Sequence, residues 1–214
     1  MPPDLRFERH FWTTGQRHVA GLDEVGRGCW AGPVVAGAVI LPADGPLCAL
    51  LRSAGLRDSK KLSAAQRQRL VPLIHALALG HALGSASAHE VDEQGIVAAC
   101  RLAMQRALAA LPVVADALLL DAFPLPNDAR PQQAIVRGDD RSLSIAAAAV
   151  LAKVWRDAFM ATQAAAFPGY SFATNKGYGT AGHRQALQEH GPTPLHRHSW
   201  RPVRERHMRQ LPLE

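Results

Sequence analysis

The sequence predicts an α/β fold with a mixed central sheet, and three observations carry that prediction. Two strand-length apolar runs, HVAGLDE (18–24) and PVVAGAVILP (33–42), flank a glycine-rich loop of hairpin size. Beyond residue 90, strand-like runs alternate with segments of helical period. Three strand candidates end on acids, at Asp23-Glu24, Asp121 and Asp139-Asp140, and strand ends are where α/β sheets commonly assemble a site.

Taken in order, HVAGLDE reads as a strand that breaks after its acids, because Gly26 and Gly28 allow a sharp turn. PVVAGAVILP is its hairpin partner. After a Ser-Lys-Lys run, Leu70, Leu73, Ile74 and Leu77 recur at helical spacing and predict a helix over 62–77. HALGSASAHEVD (81–92) reads as a third strand. From about Asp92, Ile96, Cys100, Met104, Leu108 and Leu111 form one stripe, the signature of a core-facing amphipathic helix. ADALLLDAF (115–123) is a buried strand ending on Asp121, and QQAIVRGDD (132–140) another ending near Asp139. The Ala-rich segment 142–167 is a long helix whose small residues let it lie close against a sheet.

The 214 residues suit a single domain over 1–214, with a basic helical extension from about 180 to 214. With 48% apolar residues and a mean hydropathy of −0.07, the chain has no run long enough to span a membrane. The N-terminus MPPDLRFERH lacks a secretion signal, so a cytoplasmic protein is expected, with a monomer as the default. Cys29, Cys48 and Cys100 are odd in number and widely spaced, which argues against disulfides and zinc. The net charge of +6 concentrates in GPTPLHRHSWRPVRERHMRQ, which suits a polyanionic partner about as well as a solvated tail.

An Asp at a strand end is usually a turn or cap residue, so none of the acids is persuasive singly. Jointly they would repel one another unless a cation neutralised them. Oxygen ligands without Cys or His favour Mg²⁺ or Mn²⁺, and two such ions roughly 3.5–4 Å apart can activate water at a phosphodiester and stabilise the leaving oxygen. His183, His190, His196 and His198 lack metalloprotease spacing and read as solvated or phosphate-facing. Trp30, Trp155 and Trp200 fit core or groove equally.

GLDEVGRGCWAGPVVAGAVIL, RDSKKLS, LLLDAF, VRGDDRSLSIAAAAVLAKVWRD and YSFATNKGYGTAGHRQALQEHGPTPLHRHSW occur in this order between about residues 18 and 203. Together they closely resemble bacterial ribonuclease HII. The resemblance implies a ribonuclease H-like fold, a mixed five-stranded sheet flanked by helices with a C-terminal helical extension. It implies cleavage of RNA in RNA/DNA hybrids and nicking at single ribonucleotides in duplex DNA. By motif, Asp23, Glu24, Asp121 and Asp139 are implied as catalytic metal ligands for two Mg²⁺ or Mn²⁺ ions. Asp139 is preferred to Asp140 because the family's acid directly follows the glycine, here Gly138. Gly26, Arg27, Gly28 and Tyr178 resemble the family's reader of the ribose 2′-hydroxyl, and Lys60 a phosphate contact. This chain departs from common family residues at Arg57, Ala122-Phe123, Ala149 and Gly179. The alternatives are a related nuclease acting on DNA and a non-catalytic nucleic-acid binding module on the same scaffold. The Gly-Arg-Gly loop disfavours the first and the intact acids the second.

Overall fold

A computed structural model of the chain describes residues 2–210, with side chains through residue 205; the last residues of the predicted extension, 211–214, lie outside it. The element order is α1 (Arg6–Thr13), β1 (Val19–Val25), β2 (Val34–Ile40), α2 (Gly45–Ser53), α3 (Ala64–Leu77), β3 (Gly80–Ala86), α4 (Ala88–Gln94), α5 (Ile96–Ala109), β4 (Ala117–Asp121), β5 (Gln132–Ile135), α6 (Leu143–Ala166), α7 (Phe172–Asn175), α8 (Ala181–His190) and α9 (Arg201–Gln210). Short 3₁₀ turns occupy Ser59–Lys61, Gly138–Asp140 and Pro168–Tyr170.

The five strands form one mixed sheet in the order β3-β2-β1-β4-β5. β1 runs antiparallel to β2 and parallel to β4, and β4 parallel to β5, so the hairpin and the α/β crossovers predicted from sequence are both present. The register places Asp23 opposite Gly37 and Glu24 opposite Ala36, while Asp121, the last residue of β4, pairs with Ile135.

Residues up to 25, 35–85 and 101–154 form one compact unit; 26–34, 86–100 and those from 155 on form a second. In the first, α6 lies tight on the sheet, as its alanines suggested. A Cβ on Gly21 would fall 2.3 Å from the backbone of Ser144, and one on Gly37 would fall 2.4 Å from the Ala148 carbonyl. One apolar cluster is built around Val39, Leu51, Leu70, Ile74 and Leu151, a second around Phe11, Leu119, Ile135 and Ile145. α1 is tied to the start of α6 by the buried Glu8 carboxylate, which accepts from the Ser142 hydroxyl at 2.6 Å, the Ser144 hydroxyl at 2.7 Å and the Ser144 amide at 2.9 Å. The second unit has its own core of Met160, Phe172, Leu187 and Val203. Among the described residues no helix is long and apolar enough to cross a membrane.

Three readings need correction. The third strand stops at Ala86, because Ser87 and Glu90 form a capping box that turns HEVD into α4. The predicted helix from Asp92 is two helices, broken at Gly95, whose φ of 78° cannot continue a right-handed helix. The last strand is only Gln132–Ile135, since Arg137 at φ 56° turns the chain before the acids, which sit on a 3₁₀ turn. Ala122 also adopts a left-handed φ of 64°, directly after Asp121.

Candidate active site

β1 carries Asp23 and Glu24 into its last three residues and stops at Val25, one residue later than the sequence suggested. Asp23 is 5% exposed, and Asp139 is equally buried. β4 ends on Asp121, whose Oδ1 accepts from the Gly138 amide at 2.7 Å and so ties that strand end to the turn bearing Asp139. Burial pushes the Asp23 carboxyl well above the usual range, reinforced by the negative charges of Glu24, Asp121 and Asp139, with Lys60 opposing. Three of the four acids proposed from sequence therefore act electrostatically on the fourth, Asp23. Asp139 is pushed up to about 6, first by burial and next by the charge of Asp58.

Sequence reasoning passed over Asp58. It caps the Ser59–Lys61 turn, accepting from the Lys60 amide at 2.9 Å, and hydrogen-bonds Asp139. Its signal was the Asp-Ser-Lys-Lys run itself, an acid placed to cap a short turn. Asp58, Asp139 and Asp140 carry carboxylate oxygens within 4.8 Å of one another and could together hold a cation. The doublets Lys60-Lys61 and Asp139-Asp140 divide their work. Lys60 Nζ stands 3.6 Å from Asp139, on the side of the buried acids. Lys61 Nζ instead bonds Asp140 at 2.5 Å, and Arg137 bonds the other oxygen of Asp140 at 2.6 Å. Asp139 thus lies beside Lys60 among the buried acids, while Asp140 is paired with Lys61 and Arg137.

Buried like-charged carboxylates without Cys or His among them form an oxygen donor set for a hard divalent cation, and such a cation would relieve the repulsion that raises Asp23 and Asp139. The residues present fit that group.

In the second unit, the chain from Gly26 to Pro33, which begins with Gly26-Arg27-Gly28, is held by two fully buried guanidinium groups. Arg197 donates to the carbonyls of Gly26 at 2.7 Å, Arg27 at 2.9 Å and Gly32 at 2.9 Å. Arg156 donates to Pro33 at 2.8 Å, Ala31 at 3.0 Å and Lys176 at 2.8 Å. Burial lowers Arg197 to about 10, and among the described residues no carboxylate pairs with either group. The two glycines of the loop differ. Gly26 has φ 89°, and a Cβ there would fall 2.2 Å from Arg156 Nε; Gly28 has nothing within 4 Å of a Cβ.

Tyr178 is 40% exposed and so is not a core tyrosine. Its carbonyl accepts from the His183 ring at 2.9 Å. His183 and His196 are not solvated, as their sequence context suggested: both are buried, their Nε2 atoms 2.9 Å apart. His196 Nδ1 accepts from the Thr193 amide at 2.9 Å, so its proton lies on Nε2 and is donated to His183, whose own proton goes to Tyr178. Burial keeps the pair neutral, lowering His196 to about 3. Trp30 packs on Gly179, where a Cβ would fall 2.2 Å from the indole, so only glycine admits the ring there.

The family model for ribonuclease HII matches residues 20–203. Ribonuclease HII of Chloroflexus aurantiacus is 53% identical over 206 residues, 96% of each chain. That of Syntrophotalea carbinolica is 52% identical over 204 residues, 94% of this chain and 93% of the other. Among solved structures, ribonuclease H2 from Pyrococcus horikoshii OT3 matches with a TM-score of 0.75 at 23% identity, over 89% of this chain and 97% of that one. Bst-RNase HIII in complex with Mn²⁺ matches with a TM-score of 0.64 at 18% identity, over 91% and 70%. These two similarities bear on fold alone; the sequence matches carry the family. The chain belongs to the ribonuclease HII family, metal-dependent endoribonucleases with ribonuclease H activity on RNA/DNA substrates.

Proposed function

We propose that this enzyme nicks duplex DNA on the 5′ side of a single embedded ribonucleotide as well as cutting longer RNA/DNA hybrids, leaving a 3′-hydroxyl and a 5′-phosphate. The observation that carries the reading is the convergence of charge from Glu24, Asp121 and Asp139 on the buried Asp23. Asp23, Glu24, Asp121 and Asp139 would hold two divalent ions, Mg²⁺ or Mn²⁺, and Asp58 would fix the orientation of Asp139 through its hydrogen bond. When bound, such ions supply a water of lowered pKa and charge stabilisation at the phosphate.

The chain's own residues do the rest. Lys60, 3.6 Å from Asp139 and with its side chain 77% exposed, is free to swing onto a substrate phosphate. Gly26, Arg27 and Gly28 follow Glu24 closely in the chain, and we assign them, with Tyr178, to the ribose 2′-hydroxyl, the group that separates RNA from DNA. Gly28 supports this assignment because its missing side chain serves no contact within the protein. Arg197 anchors the carbonyls of Gly26 and Arg27, Arg156 those of Ala31 and Pro33 after them, and the loop's outer surface is left to the substrate.

The test is a duplex carrying one ribonucleotide, beside a long hybrid and an all-DNA duplex, with Mg²⁺ or Mn²⁺ and the product ends mapped. Nicks 5′ to the ribonucleotide with a polymerase-extendable 3′ end are expected, and none in all-DNA. Equal cutting of all-DNA, or a nick on the 3′ side, would sink the reading.

A further inference from the structure

The outer members of the two doublets, Lys61 and Asp140, wall an open cavity of about 530 Å³ that is otherwise lined by Arg6, Val136, Arg137 and Arg141. Four cations thus face one space with Asp140 the only acid lining it. The charges do not cancel. Asp140 is shared by Lys61 and Arg137, Lys61 also stands 3.6 Å from Asp58, and Arg6 is held by Asp4 at 2.9 Å, while among the described residues Arg141 has no carboxylate partner. About one positive charge is left over, four cations standing against Asp140, Asp58 and Asp4. Arg137 and Lys61 are well exposed, with side chains 73% and 49% accessible.

The cavity is also built. Arg141 stacks over the Phe7 ring at 5.1 Å and Arg6 over the same ring at 5.7 Å, so one aromatic side chain carries two guanidinium groups. The N-terminal segment that supplies Arg6 and Phe7 is pinned there by backbone bonds from the Asp4 amide to the Arg141 carbonyl at 3.1 Å and from the Leu143 amide to the Asp4 carbonyl at 3.0 Å. Arg137 reaches the cavity from a left-handed backbone position immediately before Gly138. Arg6 and Phe7 precede the residues matched by the family model, so this wall belongs to the chain's own N-terminus.

We propose that this cavity binds a backbone phosphate of the duplex, flanking the phosphate held at the buried acids. Arg137 and Arg141 supply the forked donors that fit phosphate oxygens, and Lys61 a third cation. Asp140 serves as the internal counter-ion that keeps Lys61 and Arg137 in place when no phosphate is bound. The proposal rests on the nuclease reading, because it takes the same duplex as ligand.

The experiment measures the equilibrium binding of a ribonucleotide-bearing duplex in EDTA across a range of salt, for wild type, Arg141→Ala and the Arg137→Ala/Arg141→Ala pair. Arg17→Ala, before the opposite end of β1, is the control, and Arg141→Lys keeps charge without the fork. Each lost phosphate contact should lower the slope of log K against log salt by about 0.9 and weaken binding roughly fivefold to tenfold at moderate salt. Arg141→Lys should restore the slope, and Arg17→Ala should leave it alone. Millimolar inorganic phosphate offers the same donors a competing anion, so it should displace wild-type duplex more than chloride of equal ionic strength does, and Arg141→Ala should lose that excess. No excess over chloride, or an excess unchanged in Arg141→Ala, would overturn the proposal. A wild type that nicks while its Arg variants bind with unchanged slope and affinity overturns the cavity and leaves the ribonuclease reading. A variant-sensitive slope without any nicking does the reverse, and a wild type that fails to bind duplex overturns both.

Discussion

Gly26 and Gly28 stand two residues apart in one motif, yet they answer to different constraints. Gly26 is demanded by the fold: its φ of 89° is costly for any side chain, and a Cβ would collide with Arg156. Gly28 is demanded by nothing inside the protein, so a requirement for glycine there must come from what approaches it. Gly26→Ala should lose at least about 2 kcal/mol of stability in urea unfolding, through strain and overpacking. Gly28→Ala should unfold like wild type but cut a ribonucleotide-bearing duplex poorly. A Gly28→Ala enzyme with full activity would remove the loop from substrate reading, whatever its stability.

At the scale of elements, the hairpin, the parallel strands and the Ala-rich helix were legible because each follows from local apolar period and turn chemistry. The acids were legible for the same reason, since each ends a strand or the turn after one. What escaped were side chains whose partners are distant backbone carbonyls. Arg156 and Arg197 bond to loop segments more than a hundred residues earlier, and no pattern of charge or period announces such a bond. Asp58 was missed because its cap role involves one short turn inside a run that reads as merely basic. The histidine pair was misread for a related cause: a polar, basic context in sequence says nothing of burial in space. Its neutrality sets a pH dependence. The folded pKa of His196, about 3, lies below the unfolded value near 6.5, so its stabilising contribution is complete above the unfolded value and is lost as pH falls toward 3. Between pH 7 and 5 this group alone should cost about 2 kcal/mol of unfolding free energy. His196→Gln, which cannot titrate, should show a flatter profile over that interval; an identical slope would take the pair out of the acid response.

For the whole molecule, the sheet accounts for the first half of the chemistry and the charge distribution for the second. One mixed sheet brings Asp23 and Asp121 to the ends of neighbouring parallel strands, and the bond from the Gly138 amide to Asp121 brings Asp139 after them. Cations then sort by depth, with Lys60 against the buried acids and Lys61, Arg137 and Arg141 around the open cavity beside them. The proposed role of the buried carboxylates is to act together in cutting beside single ribonucleotides. Its most direct test compares wild type with Asp23→Asn on a DNA duplex containing one ribonucleotide, in Mg²⁺ and in Mn²⁺. The account predicts a nick beside the ribonucleotide with wild type and a loss of at least about a hundredfold in the variant, with folding intact. No nick by wild type, or an undiminished nick by Asp23→Asn, would contradict it.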